Sequence, residues 1–108
     1  MSQRHSEFDR RSLAKAADEL QERHRPAFEE RGGHLSVGAG RASNIRTRTK
    51  VIELYAEVEW NASRIHDHVH AEVARRPWFS WRWERVRSLG EAVDEIETKL
   101  TDWLRKGS

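Results

Sequence analysis

Ile45-Arg-Thr-Arg-Thr-Lys-Val-Ile-Glu-Leu-Tyr-Ala-Glu-Val-Glu-Trp60-Asn-Ala-Ser-Arg-Ile-His-Asp-His-Val-His-Ala-Glu-Val-Ala-Arg-Arg76 lies within the longest run of the chain free of glycine and proline. Val51, Leu54, Tyr55, Val58, Ala62, Ile65, Val69 and Val73 recur along it three and four residues apart, the period of a helix face. The spacing predicts one helix over 45–76, about 48 Å long at 1.5 Å per residue. The alternative is a break at Asn61-Ala62-Ser63, where weak helix formers that cap well would divide the rod in two. Ile52, Ala56 and Trp60 form a second apolar line, repeating every four residues on another face. A helix apolar on two sides is sandwiched between neighbours. Either the first helix supplies the second neighbour, or Trp60 meets another chain.

Downstream, Pro77 punctuates a turn, and Trp83, Val86, Leu89, Val93, Ile96, Leu100, Trp103 and Leu104 mark the stripe of a helix over 78–105. Gly90 inside it costs about 1 kcal/mol relative to alanine. The connection is short, so the two long helices are read as antiparallel neighbours. Upstream, Leu13, Ala16, Ala17 and Leu20 predict a first helix over 6–24, capped by Ser6 and ended or kinked where Arg25 meets Pro26. Gly32, Gly33, Gly38 and Gly40 make 31–44 a flexible loop. The expected fold class is therefore all-α: a three-helix bundle dominated by a long antiparallel helical hairpin, one domain across residues 1–108.

The chain has 108 residues, 35% charged and 36% hydrophobic, which bounds it to one small domain. It has no cysteine, so disulfides, thiolate metal sites and thiol catalysis are excluded. No apolar run approaches the roughly 20 residues needed to span a bilayer, and residues 1–11 carry no apolar signal core. The expectation is a cytoplasmic protein with no membrane role. Net charge is only +2, but it is segregated. Five basic residues and no acidic one fall between Arg31 and Ile52, and five arginines against Glu84 between Arg75 and Arg87.

The strongest constellation is Arg75-Arg76-Pro77-Trp78-Phe79-Ser80-Trp81-Arg82-Trp83, with Arg85 and Arg87 behind it. Arginines beside tryptophans hold phosphates while the rings stack on bases, and the same residues anchor protein interfaces. The bland reading makes Phe79 and Trp83 a cap on the core, with the arginines reaching past them to solvent. His66 and His70 would stand one helical turn apart and hold a metal if another helix supplied a carboxylate; otherwise they are ordinary solvated histidines. The glycine run lacks the spacing of a phosphate-binding loop and reads as a linker. No serine, histidine and carboxylate combine into a catalytic set, so no enzyme and no cofactor are expected.

Thr47 to Val69, with its Trp60-Asn-Ala-Ser, resembles the opening of a homeodomain-like helix-turn-helix of the kind found in transposases and phage small terminase subunits. Val58-Glu59 stand where that turn usually carries glycine. The resemblance covers about a fifth of the chain, and no family is assigned on it. It would imply that Arg82, Arg85 and Arg87 face the major groove of DNA.

The functional expectation is a non-enzymatic assembly or adaptor module. It would dock through Trp60, Trp78, Trp81, Arg82 and Arg85, as a homo-oligomer or within a larger protein complex. The alternative is nucleic-acid binding through Arg46, Arg48, Lys50, Arg75, Arg76, Arg82, Arg85 and Arg87.

Overall fold

The computed structural model describes residues 10–61 and 66–106. Helix α1 (Arg10–Glu30) leads into strands β1 (Gly33–Asn44), β2 (Thr49–Trp60) and β3 (His66–Pro77). A two-residue strand β4 (Glu84–Arg85) and helix α2 (Leu89–Lys106) follow. The strands form one antiparallel sheet in the order β1-β2-β3-β4. This overturns the all-α expectation. There is no 45–76 helix and no helical hairpin; the stretch holds a turn and two paired strands. The helix-turn-helix resemblance falls with it, because Thr49–Trp60 is a strand.

The physical reason lies in β2. Ile52, Leu54, Ala56, Val58 and Trp60 are all buried, and they alternate with Glu53, Tyr55, Glu57 and Glu59. A period of two places those five on one face of a sheet. Residues four apart share a face in both a strand and a helix, so the line Ile52, Ala56, Trp60 is a subset of this strand face. The segment is also rich in valine, isoleucine, threonine and aromatics, which suit a pleated surface. Strand β3 repeats the pattern: Val69, Ala71 and Val73 are buried, while His66, His68 and His70 are exposed. Of the expected break Asn61-Ala62-Ser63, Asn61 lies in a turn with its N–H donating to Gly32 O (2.8 Å), while Ala62 and Ser63, like Arg64 and Ile65, lie outside the described residues.

The supposed flexible loop 31–44 is instead strand β1, paired with β2 from Gly33↔Trp60 to Asn44↔Thr49 without a shift. Two of its three glycines serve close approach. A Cβ on Gly33 would come within 2.8 Å of the Trp60 ring, and one on Gly38 within 2.5 Å of the Tyr55 hydroxyl.

Both helices pack on one face of the sheet, α1 over β1 and α2 over β3. Leu13, Ala17, Leu20 and Phe28 of α1 join Ala92, Ile96, Leu100 and Trp103 of α2 in one core with the even face of β2. Helix α1 runs past Pro26 to Glu30, beyond the expected end near His24. Phe28, fully buried with its ring 5.8 Å from that of Trp60, holds the last turn down. Ser6, the expected cap, lies outside the described residues. Helix α2 begins eleven residues later than the expected start at 78, at a capping box. The Ser88 hydroxyl accepts from Glu91 N (3.1 Å) and the Glu91 carboxylate accepts from Ser88 N (2.8 Å). The Ser88 N–H, and after it the Ser88 hydroxyl, hold the Glu91 carboxyl below its ordinary range.

Candidate functional site

The β1–β2 turn and the β3–β4 connection meet at one end of the sheet. The turn, 45–48, is closed by Asn44, whose Oδ1 accepts from Thr47 N at 3.2 Å. Arg48 sits at φ 56°, a left-handed conformation strained for arginine. The connection is then tied onto this turn. Trp78 N donates to Arg48 O (2.9 Å), and Trp78 Nε1 donates to Thr49 O (3.1 Å). Arg76 Nη1 donates to Pro77 O (3.3 Å) and Ser80 O (2.6 Å), and Ser80 Oγ accepts from Arg82 N (3.1 Å). The basic run of the turn and the basic, aromatic run after β3, about thirty residues apart in sequence, form one surface.

A bulge sharpens this arrangement. Ile52 pairs with Ala74 but Glu53 pairs with Glu72, so Val73 is an extra residue in β3. Beyond it the alternation flips, which puts Arg76 on the helix side together with Lys50, Ile52 and Arg41. Trp83 returns over that side. Its ring lies 5.1 Å from the Arg76 guanidinium and 5.7 Å from that of Arg41, within cation–π reach of both.

Ile45, Phe79 and Trp81 are 78%, 91% and 88% exposed, and Trp78 is 44% exposed. These are the exposed large hydrophobic residues among those described, and all four belong to the two joined segments. Arg46, Arg48, Lys50, Arg75, Arg82 and Arg85 are exposed beside them. The nearby carboxylates include Glu72, 3.6 Å from Arg75, Glu84, and Glu91, which feels the charge of Arg85.

The residues singled out in the sequence therefore separate. Trp78, Trp81, Arg46, Arg48, Lys50, Arg75, Arg76, Arg82 and Arg85 come together. Arg87 does not stay with them, because it forms an ion pair with Glu95 of α2. Trp60 is 7% exposed at the opposite end of the sheet, packed on Phe28 and donating through Nε1 to Asp67 Oδ2 at 3.2 Å. It is a core residue, not a surface anchor. Phe79 is not the core cap that its spacing implied, whereas Trp83 does pack against the core. Ile45, Phe79 and Trp83 were not among the docking residues expected from the sequence. Arg41 belonged to the basic run, but only the sheet register brings it to Trp83.

His66 and His70 lie on the open face of the sheet. Four residues span about 13 Å in a strand, so they are not the one-turn pair that a helix would give. Each has its own carboxylate instead: His66 Nε2 is 2.8 Å from Glu57 Oε1, and His70 Nδ1 is 3.0 Å from Glu53 Oε2. Among the described residues, no three histidine or acidic side chains converge closely enough to hold a metal ion.

No protein-family model, no curated protein and no solved structure matches the chain.

Proposed function

We propose that this protein binds single-stranded or unpaired nucleic acid through the cationic, aromatic end of its sheet. One observation carries the reading: two sequence-distant basic segments are joined there, and the exposed rings of Trp78, Phe79 and Trp81 stand among their arginines. Bases stack on such rings whatever their sequence, and the guanidinium and ammonium groups track the phosphates. A duplex hides its base faces, so rings this exposed match unpaired bases better. The role is binding, not catalysis. The lack of cysteine favours a reducing compartment, and we place the protein in the cytoplasm. Among the described residues, no helix is long and apolar enough to cross a membrane.

The adaptor reading rested on the faces of a helical hairpin that does not exist, although Trp78, Trp81, Arg82 and Arg85 would also suit a protein interface. Fluorescence anisotropy with labelled single-stranded oligonucleotides separates the two. Saturable binding at low salt is expected, with log affinity falling against log salt at a slope of about −3 to −4 for some five phosphate contacts. No binding to any oligonucleotide at low salt, together with self-association through the same rings in light scattering, would replace this reading with a protein interface.

A further inference from the structure

On the helix side of the same end lies a recess of about 350 Å³. It is lined by Arg10, Leu13 and Ala14 of α1, Ala39, Gly40 and Arg41 of β1, and Ile52 of β2. Its volume falls within the range of small-molecule sites, about 300–1,000 Å³. Three features of its wall are chemically distinct. Leu13, Ala14, Ala39 and Ile52 give it an apolar floor. Arg10 and Arg41, from two different elements, add two cationic residues to its lining, with no carboxylate among the described lining residues. The edge of β1 gives it backbone hydrogen-bonding groups.

The third feature follows from Gln21. Its Nε2 donates to Leu35 O (2.9 Å), and its Oε1 accepts from Val37 N (2.7 Å), so a side-chain amide stands in for a neighbouring strand. The outward-pointing groups of β1 are thus those of the odd residues. The β1–β2 register is unbroken, so the same alternation turns the N–H and C=O of Ala39 and Arg41 away from β2. Gln21 of α1 takes up Leu35 O and Val37 N, and the recess is lined by Ala39 and Arg41 further along the same edge.

An apolar slot, an edge of donors and acceptors, and two cations match a flat heteroaromatic ring that carries an anion. We propose that this recess binds one nucleotide. The base lies on the Leu13–Ile52 floor with its edge toward the backbone of Ala39 and Arg41, and the phosphate sits between Arg10 and Arg41. The guanidinium of Arg41 rests on Trp83, which connects the recess to the exposed rings. The inference rests on the nucleic-acid reading of that end and names a second contact for the same strand.

The test titrates the full chain with adenosine monophosphate and with uridine monophosphate, followed by backbone amide NMR. Oligonucleotide anisotropy runs in parallel. Saturable shifts at Leu13, Ala14 and Ala39 through Arg41 are expected. Arg10→Gln, Arg41→Gln and removal of the phosphate (adenosine alone) should each weaken binding by about tenfold or more, the worth of a charge-assisted hydrogen bond. Ala14→Trp, at an exposed helix position, should fill the recess and abolish the shifts while the amide spectrum stays dispersed. Shifts confined to residues 78–83, with oligonucleotides still bound, would overturn the recess and leave the end reading standing. Inorganic phosphate reproducing every shift would reduce it to an anion site and overturn the nucleotide assignment. If neither mononucleotide nor oligonucleotide binds, both readings fail together.

Discussion

The two ends of the sheet treat the same residue type in opposite ways. At one end Trp60 is buried beneath Phe28 of α1, its indole nitrogen bonded to Asp67. At the other, Trp78 and Trp81 face solvent. The difference is one of cover. Helix α1 finishes directly before β1, so its last turn, with Phe28, lies over the Gly33↔Trp60 pair. The C-terminal turn of α2 arrives there too, with Arg31 Nη1 donating to Leu104 O. Among the described residues none covers Phe79, Trp81 or Arg82, and the loop is held in place by hydrogen bonds to the backbone. Exposed aromatic surface that is fixed in place yet uncovered is what a binding site needs, and what a stability-driven sequence would avoid.

Substitution of the tryptophans breaks this comparison most directly. Trp60→Ala should lower unfolding free energy by about 3–5 kcal/mol, the range for truncating a buried aromatic. Trp81→Ala should leave it within about 0.5 kcal/mol, as for other exposed sites. The affinities invert: Trp81→Ala should weaken oligonucleotide binding by about 1–3 kcal/mol, the worth of one stacked base. Chemical denaturation and anisotropy on the two variants measure both columns. A large stability loss at Trp81 would mean that the end is structural.

The glycines sharpen the same contrast on a smaller scale. Gly33→Ala places a methyl within 2.8 Å of the buried Trp60 ring, whereas an added Cβ at Gly40 meets nothing within 4 Å. Overpacking of this kind costs about 1–3 kcal/mol. Gly40→Ala should therefore be neutral or slightly stabilising, since it narrows the freedom of the unfolded chain. Thermal unfolding of the pair decides it, and equal melting temperatures would contradict the packing described here.

How much of this was legible beforehand depends on the period. In β2 the apolar residues at 54, 56, 58 and 60 alternate strictly, a pattern readable from the sequence. It was obscured because Val51, Leu54, Tyr55 and Val58 also satisfy a helical stripe. Positions four apart cannot distinguish the periods; positions two apart can, and Leu54 with Ala56 and Val58 is the discriminating set. The β1 segment was not legible, because its glycines signal flexibility unless the rings above them are known. Ser88-Leu-Gly-Glu91 was a readable helix start that would have shortened the second long helix. The aromatic and basic residues of the site were visible as residue types. Their union with the 45–50 turn was not, since it requires the antiparallel register. Trp60 and Phe79 exchanged roles for the same reason: exposure follows from what lies overhead, which a one-dimensional period does not contain.

The smallest effect concerns the helix layer above the sheet. Glu97 of α2 meets α1 through His24, with Glu97 Oε2 2.9 Å from Nε2, and through Arg23, whose Nη1 donates at 2.6 Å. The hydrogen bond with His24, then the bond and charge of Arg23, hold its carboxyl below the ordinary value of 4.5, against an opposing push from burial. A carboxyl with a depressed folded-state pKa stabilises the fold in full above its unfolded value and loses that contribution as pH falls through the folded one. The loss therefore belongs below about pH 4.5, not near neutrality. The side chain is 31% exposed and Arg23 more so, which limits the pair to about 0.5–1 kcal/mol. Glu97→Gln should lower the melting temperature slightly at pH 7, and the gap to the parent should narrow as pH falls below about 4.5 and close once the Glu97 carboxyl is protonated in the folded state. A gap that stays constant across that range would show that the α1–α2 contact draws nothing from the charge of Glu97.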